Sequence, residues 1–108
     1  MSLLLVAALS QPLWFNVQQD GANFTVVPMA KLDNACECRL VVEVKRRGAQ
    51  GESLSVQRQN VSLAAGQERE MGKMTFSASR GDSVQVNVTL SDGASVSFSE
   101  RWEYPPKI

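Results

Sequence analysis

From Leu13 onward the chain alternates apolar and polar residues with period two, in short runs separated by clusters of Gly, Asn, Asp and Ser. That spacing predicts half-buried β-strands, and no stretch of helical period competes with it. Val84, Val86, Val88 and Leu90 alternate with Ser83, Gln85, Asn87 and Thr89, and Val96 and Phe98 alternate with Ser95, Ser97 and Ser99. Each of these two strands has one buried and one wet face. The Asp92-Gly93 dipeptide between them suits a tight turn, so they are expected to be antiparallel neighbours. Upstream, Leu13 to Val17, Phe24 to Ala30 and Cys36 to Lys45 read as strands, with a turn at Asp20-Gly21. Pro28 cannot donate to a ladder, which suggests an edge or a bulge. Leu54 and Val56 occupy even positions whereas Val61 and Leu63 occupy odd ones, so a bulge or sheet switch is expected within Gln57 to Asn60. Met74, Phe76 and Ala78 alternate once more. The count is seven strands, and the expected fold is an all-β, seven-stranded immunoglobulin-like β-sandwich.

At 108 residues the chain holds one domain. Residues 11–104 are assigned to the sandwich and 105–108 to a tail. Residues 1–10 read as a short signal-like segment or a first strand, because the apolar run Leu3 to Leu9 is far shorter than the ~20 residues of a membrane helix. Eleven Lys plus Arg balance eleven Asp plus Glu. No overall basic field is available to hold nucleic acid, and none is expected as a partner. Histidine is absent, which removes Ser-His-Asp and Cys-His nucleophile pairs and imidazole switches. Without histidine, two cysteines also fall short of the common structural zinc sets. No enzyme activity, cofactor or metal is expected, although a copper(I) site combining the thiolates with Met29, Met71 or Met74 is a minor alternative. A monomer is expected.

Cys36-Glu37-Cys38 admits two readings. On a regular strand these cysteines lie on one face, ~6.7 Å apart, whereas a disulfide needs Cβ atoms ~3.5–4.5 Å apart. Bonding therefore requires the chain to buckle at Glu37, as a redox pair would. The alternative is packing: Leu40, Val42 and Val44 share the cysteines' parity, which places both sulfurs at the end of a buried stripe. By the same parity Glu37, Arg39, Val41, Glu43, Lys45 and Arg47 face outward, and Arg101 joins that side in the last strand. This face is either a plain solvated surface protected by charge or a partner-binding one. Arg80-Gly81-Asp82 matches an integrin-binding tripeptide, but a turn before a Val-rich strand accounts for it.

Read together, Leu3-Leu4-Leu5-Val6-Ala7-Ala8-Leu9-Ser10, Cys36-Glu37-Cys38-Arg39, Val61 to Gln67, Val88-Thr89-Leu90-Ser91-Asp92-Gly93 and Trp102 resemble the curli assembly protein CsgC family in order and spacing. The resemblance implies an immunoglobulin-like sandwich in the periplasm. It also implies a chaperone-like protein that keeps the curlin subunit, an unfolded polypeptide, from forming amyloid before secretion. Its Cys-x-Cys pair, matched by Cys36 and Cys38, carries a proposed redox role. Glu37 departs from the apolar residue often found there, and a nearby carboxylate raises thiol pKa values. On this reading Arg39, Lys45, Arg47 and Arg101 are the candidate partner-binding residues, and Cys36 and Cys38 the candidate redox pair.

Overall fold

A computed structural model describes residues 11–49 and 51–106, so the Leu3 to Leu9 run lies outside the described residues. The elements are β1 (Leu13–Asp20), β2 (Asn23–Ala30), β3 (Cys36–Gly48), β4 (Gly51–Leu63), β5 (Arg69–Glu70), β6 (Met74–Ser77), β7 (Ser83–Ser91) and β8 (Ser97–Tyr104). All pairings are antiparallel. Among the described residues there are eight strands and no helix, one strand more than the alternation suggests. The extra one, β5, is two residues long and too short to carry a period.

In one sheet β1 pairs with β2, and β6 and β5 share the other edge of β2; the second sheet runs β4-β3-β7-β8. The inward stripes of the two sheets meet in one core, in which Val26, Ala30, Leu40, Val86, Val88 and Leu90 are buried. Phe24 anchors an aromatic cluster, with ring centroids 5.9 Å from Phe76, 5.8 Å from Trp102 and 4.7 Å from Tyr104. Trp102 is thus a core anchor, reached because β8 continues to Tyr104.

Pro28 lies in a central strand rather than an edge, beside a bulge-like slip: Val26 opposes Met74 and Met29 opposes Glu70, so the partner chain carries one residue more than β2 between these pairs. β2 pairs with β6 through Val26 and with β5 from Met29, and Pro28 lies in the gap between those partners. Its carbonyl accepts from the Met71 N–H at 2.8 Å. Its nitrogen carries no hydrogen and so makes no return bond. The Asp20-Gly21 turn forms as expected, with Asp20 opposite Asn23 and Gly21 at φ 63°.

β4 corrects a second expectation. Its register with β3 runs unbroken from Gly48↔Gly51 to Cys36↔Leu63, with no bulge at Gln57 to Asn60. Leu63 and Val61 therefore face inward opposite Cys36 and Cys38, while Leu54 and Val56 face outward opposite Lys45 and Glu43. Gly51 to Asn60 is exposed on both faces, and Ser55 and Gln57 meet Met74 and Phe76 only across an open hollow. There is no core there for either parity to enter.

Candidate functional site

Successive residues of a strand face opposite sides of a sheet, and directly opposed residues face the same side. The β4-β3-β7-β8 registers therefore arrange the outer face in rows. Glu52 stands beside Arg47 and Ser83. Leu54 stands beside Lys45, Gln85 and Glu103, and Val56 beside Glu43, Asn87 and Arg101. Arg58 stands beside Val41, Thr89 and Ser99, and Asn60 beside Arg39, Ser91 and Ser97. Arg39, Lys45, Arg47 and Arg101 all occupy this single face and are all exposed. Arg58 joins them. The expected bulge concealed it; once the strand is regular, its parity with Leu54 and Val56 puts it outside.

Carboxylates interleave with these cations. Arg47 Nε donates to Glu52 Oε2 at 2.7 Å. Arg101 Nε donates to Asn87 Oδ1 at 2.8 Å, with Glu43 one strand further along the row. Gln85 Nε2 donates to Glu103 Oε2 at 3.1 Å in the row of Lys45. The rows of Arg39 and Arg58 contain no carboxylate. Arg39 and Arg58 thus have no carboxylate directly opposed to them, although Glu37 on the same face and Asp92 in the adjoining loop lie near Arg39. An open hollow of about 610 Å³, lined in part by Arg39, Val41 and Asn60 and by the carboxylate residues Glu37 and Asp92, lies beside Arg39.

The neighbouring turn is rigidly built. Asp92 Oδ1 accepts the N–H groups of Val96 at 3.0 Å and Ala94 at 2.8 Å, and Gly93 takes φ 82°. Those bonds, from Val96 foremost, hold the Asp92 carboxyl below its ordinary pKa. The loop spans five residues between Ser91 and Ser97, longer than a tight two-residue turn.

The basic run Lys45-Arg46-Arg47 divides between faces. Arg46 points inward, where its guanidinium donates to the Ser77 carbonyl at 2.9 Å and lies over the Phe76 ring, 5.7 Å from its centroid. It ties β3 to β6 across the open side of the sandwich.

Cys36 and Cys38 are bonded to each other, with Cα atoms 5.5 Å apart, inside the regular β3–β4 ladder. Their exposures are 7% and 4%, so the sulfurs sit in the core as the packing alternative placed them. Glu37 is on the opposite side of the sheet, where it accepts from Ser62 Oγ at 2.7 Å. Its charge is directed away from the sulfurs. Met29, though buried, alternates away from the core-facing Val26 and Ala30 of β2, and the two cysteines are bonded to each other, so the structure does not assemble the soft copper(I) set that includes Met29. Among the described residues no group of three or more His, Cys, Asp or Glu could hold a metal ion, and no helix is long and apolar enough to cross a membrane.

Comparison with known proteins places these features in a lineage. The family model Tafi-CsgC, described as thin aggregative fimbriae synthesis protein, matches residues 4–102. Curli assembly protein CsgC of Salmonella typhimurium strain LT2 is 39% identical over 105 residues, covering 97% of this chain and 95% of the relative. The protein of that name from Escherichia coli K12 is 38% identical, covering 97% and 94% respectively. The solved structure of E. coli curli protein CsgC superposes with a TM-score of 0.82 at 35% identity, covering 90% of this chain and all 100% of that one. The solution structure of R. palustris CsgH, 21% identical with a TM-score of 0.58, is similar in fold alone.

Proposed function

The chain belongs to the Tafi-CsgC family of thin aggregative fimbriae synthesis proteins, and from that premise we propose that it acts in curli biogenesis as a periplasmic, chaperone-like, non-enzymatic inhibitor of early curlin polymerisation. We read its two sheets as an immunoglobulin-like sandwich and the outer face of β4-β3-β7-β8 as the surface that meets the unfolded subunit. One observation carries this reading: Arg39, Lys45, Arg47 and Arg101 lie exposed on one sheet face, with Arg39 and Arg58 in rows free of carboxylate. Flat charged surfaces guide encounters quickly and hold weakly. Amyloid growth needs like strands stacked in register, so brief capture of a nascent strand delays nucleation without a tight complex. A disulfide suits the oxidising compartment this reading assigns.

The test is curlin polymerisation, followed by thioflavin fluorescence with this protein at rising salt. Exposed charges are screened over ~8 Å at physiological ionic strength, so the delay should shorten as salt increases. Arg39→Glu should shorten it more than Arg47→Glu, because Glu52 already compensates Arg47. Lag times indifferent to both salt and Arg39→Glu would remove the charged face from the account.

The alternative reading is a thiol-disulfide redox protein using Cys36 and Cys38. Burial of both sulfurs weighs against it, since exchange requires access for an attacking thiolate. A Cys36→Ser/Cys38→Ser variant that still delays polymerisation supports the chaperone reading, whereas one that has lost the delay supports the redox reading.

A further inference from the structure

β4 borders its sheet over thirteen residues and pairs only with β3. It carries neither proline nor lysine and has no bulge, so of the usual devices that keep an exposed edge from pairing it has only the charges of Glu52 and Arg58. Its free stretch also presents Leu54 and Val56, 60% and 36% exposed, on one face. We propose that this edge is a self-complementary interface through which two copies of the chain associate, their β4 strands running antiparallel about a two-fold axis at Ser55.

The register follows from the side chains. Antiparallel partners share a face, so the outward residues Glu52, Leu54, Val56 and Arg58 must oppose one another. Centred on Ser55, Glu52 meets Arg58 of the second copy, Leu54 meets Val56, and the two-fold repeats both contacts. On the other face Ser53 meets Gln57 and Ser55 meets its own copy, giving polar pairs where no core exists. Centring on Leu54 instead opposes Glu52 to Val56, and centring on Val56 opposes Leu54 to Arg58. Of these three registers only the one at Ser55 matches charge with charge and apolar with apolar.

Two observations favour a second copy as the occupant. Both contacts of Glu52 with Arg47 fall on Oε2, leaving Oε1 with no partner among the described residues and open to a further guanidinium from the free side. Gly51 to Asn60 is exposed throughout, and among the described residues no strand pairs with the free side of β4, which leaves it open to an eight-stranded continuation of β4-β3-β7-β8. A contact of one strand per copy buries less than about 1,000 Å² and belongs among weak, reversible interfaces, with a dissociation constant on the order of 0.1 mM. The monomer expected from sequence is then the dilute species.

Sedimentation velocity across ~0.01–1 mM brackets that constant and tests the proposal. Wild type should move from monomer to dimer. Arg58→Glu, which leaves the Arg47–Glu52 pair intact, should weaken association about tenfold or more by opposing like charges, and Glu52→Arg should do the same. The double variant Glu52→Arg/Arg58→Glu should regain most of the loss. All substituted positions are exposed, and far-UV circular dichroism verifies that each variant is folded. Amide exchange along β4 should slow with concentration in wild type and not in Arg58→Glu. A wild type that stays monomeric throughout, a dimer indifferent to either reversal, or a double variant no better than the singles would overturn the proposal.

Discussion

β7 and β4 lie in the same sheet with only β3 between them, yet one is half buried along its whole length and the other is nearly all exposed. In β7 every second residue from Val84 to Leu90 meets side chains of the opposite sheet, so the alternation in sequence is a record of burial. In β4 only Leu63 is buried and Val61 half buried, at the end where that sheet still lies beneath. The ladder with β3 therefore holds β4 in place without a core of its own. A strand can be regular because its neighbour is regular, and its side chains are then free to serve purposes other than packing.

Substitutions can sharpen or break this contrast. The largest effect is expected in β7: Leu90→Ala should cost about 3 kcal/mol in urea unfolding, since a buried leucine loses transfer energy and leaves a cavity. A loss below about 1 kcal/mol would mean that the core is looser than its burial implies. Next comes the tie across the open side. Arg46→Ala removes the hydrogen bond to Ser77 and the contact with Phe76, and should cost about 1 kcal/mol in the same assay. Smaller still is the β7–β8 turn, where Asp92→Ala should lower the midpoint of thermal unfolding at neutral pH. Because the Asp92 carboxyl has a depressed pKa in the fold, its contribution is fully present above the unfolded pKa and fades as pH falls through the lower folded value. The difference between variant and wild type should shrink accordingly in acid. Least affected is β4: Leu54→Ala, measured in dilute solution, should stay within about 0.5 kcal/mol of wild type. A cost near that of Leu90→Ala would show that β4 packs on something.

What could be read from the chain follows the same divide. Where two sheets face each other, apolar parity located the strands, the inward cysteines and the outward set Arg39, Lys45, Arg47 and Arg101. At β4 the inference failed for a physical reason. Alternation alone puts Leu54 and Val56 in a core, and reconciling them with Val61 and Leu63 requires a bulge that the register does not contain. The same error concealed Arg58. Pro28 signals the slip but not its place: the missing donor falls in a central strand, where the opposing chain carries one extra residue between β6 and β5. The carboxylates beside Arg47 and Arg101 were visible as residues, yet their interleaving required the strand order and register.

Gly48 and the Arg80-Gly81-Asp82 turn have a consequence for recognition from outside. Asp82 Oδ2 accepts the Ser79 N–H at 2.8 Å, while Oδ1 lies where a Cβ on residue 48 would fall, only 2.6 Å from that position. The acid of this tripeptide is thus half-buried, engaged by its own loop and set against a backbone with no side chain. An adhesion receptor seeking it would have to compete with that loop for the carboxylate, so the three letters spell a cell-attachment signal whose last character is already in use.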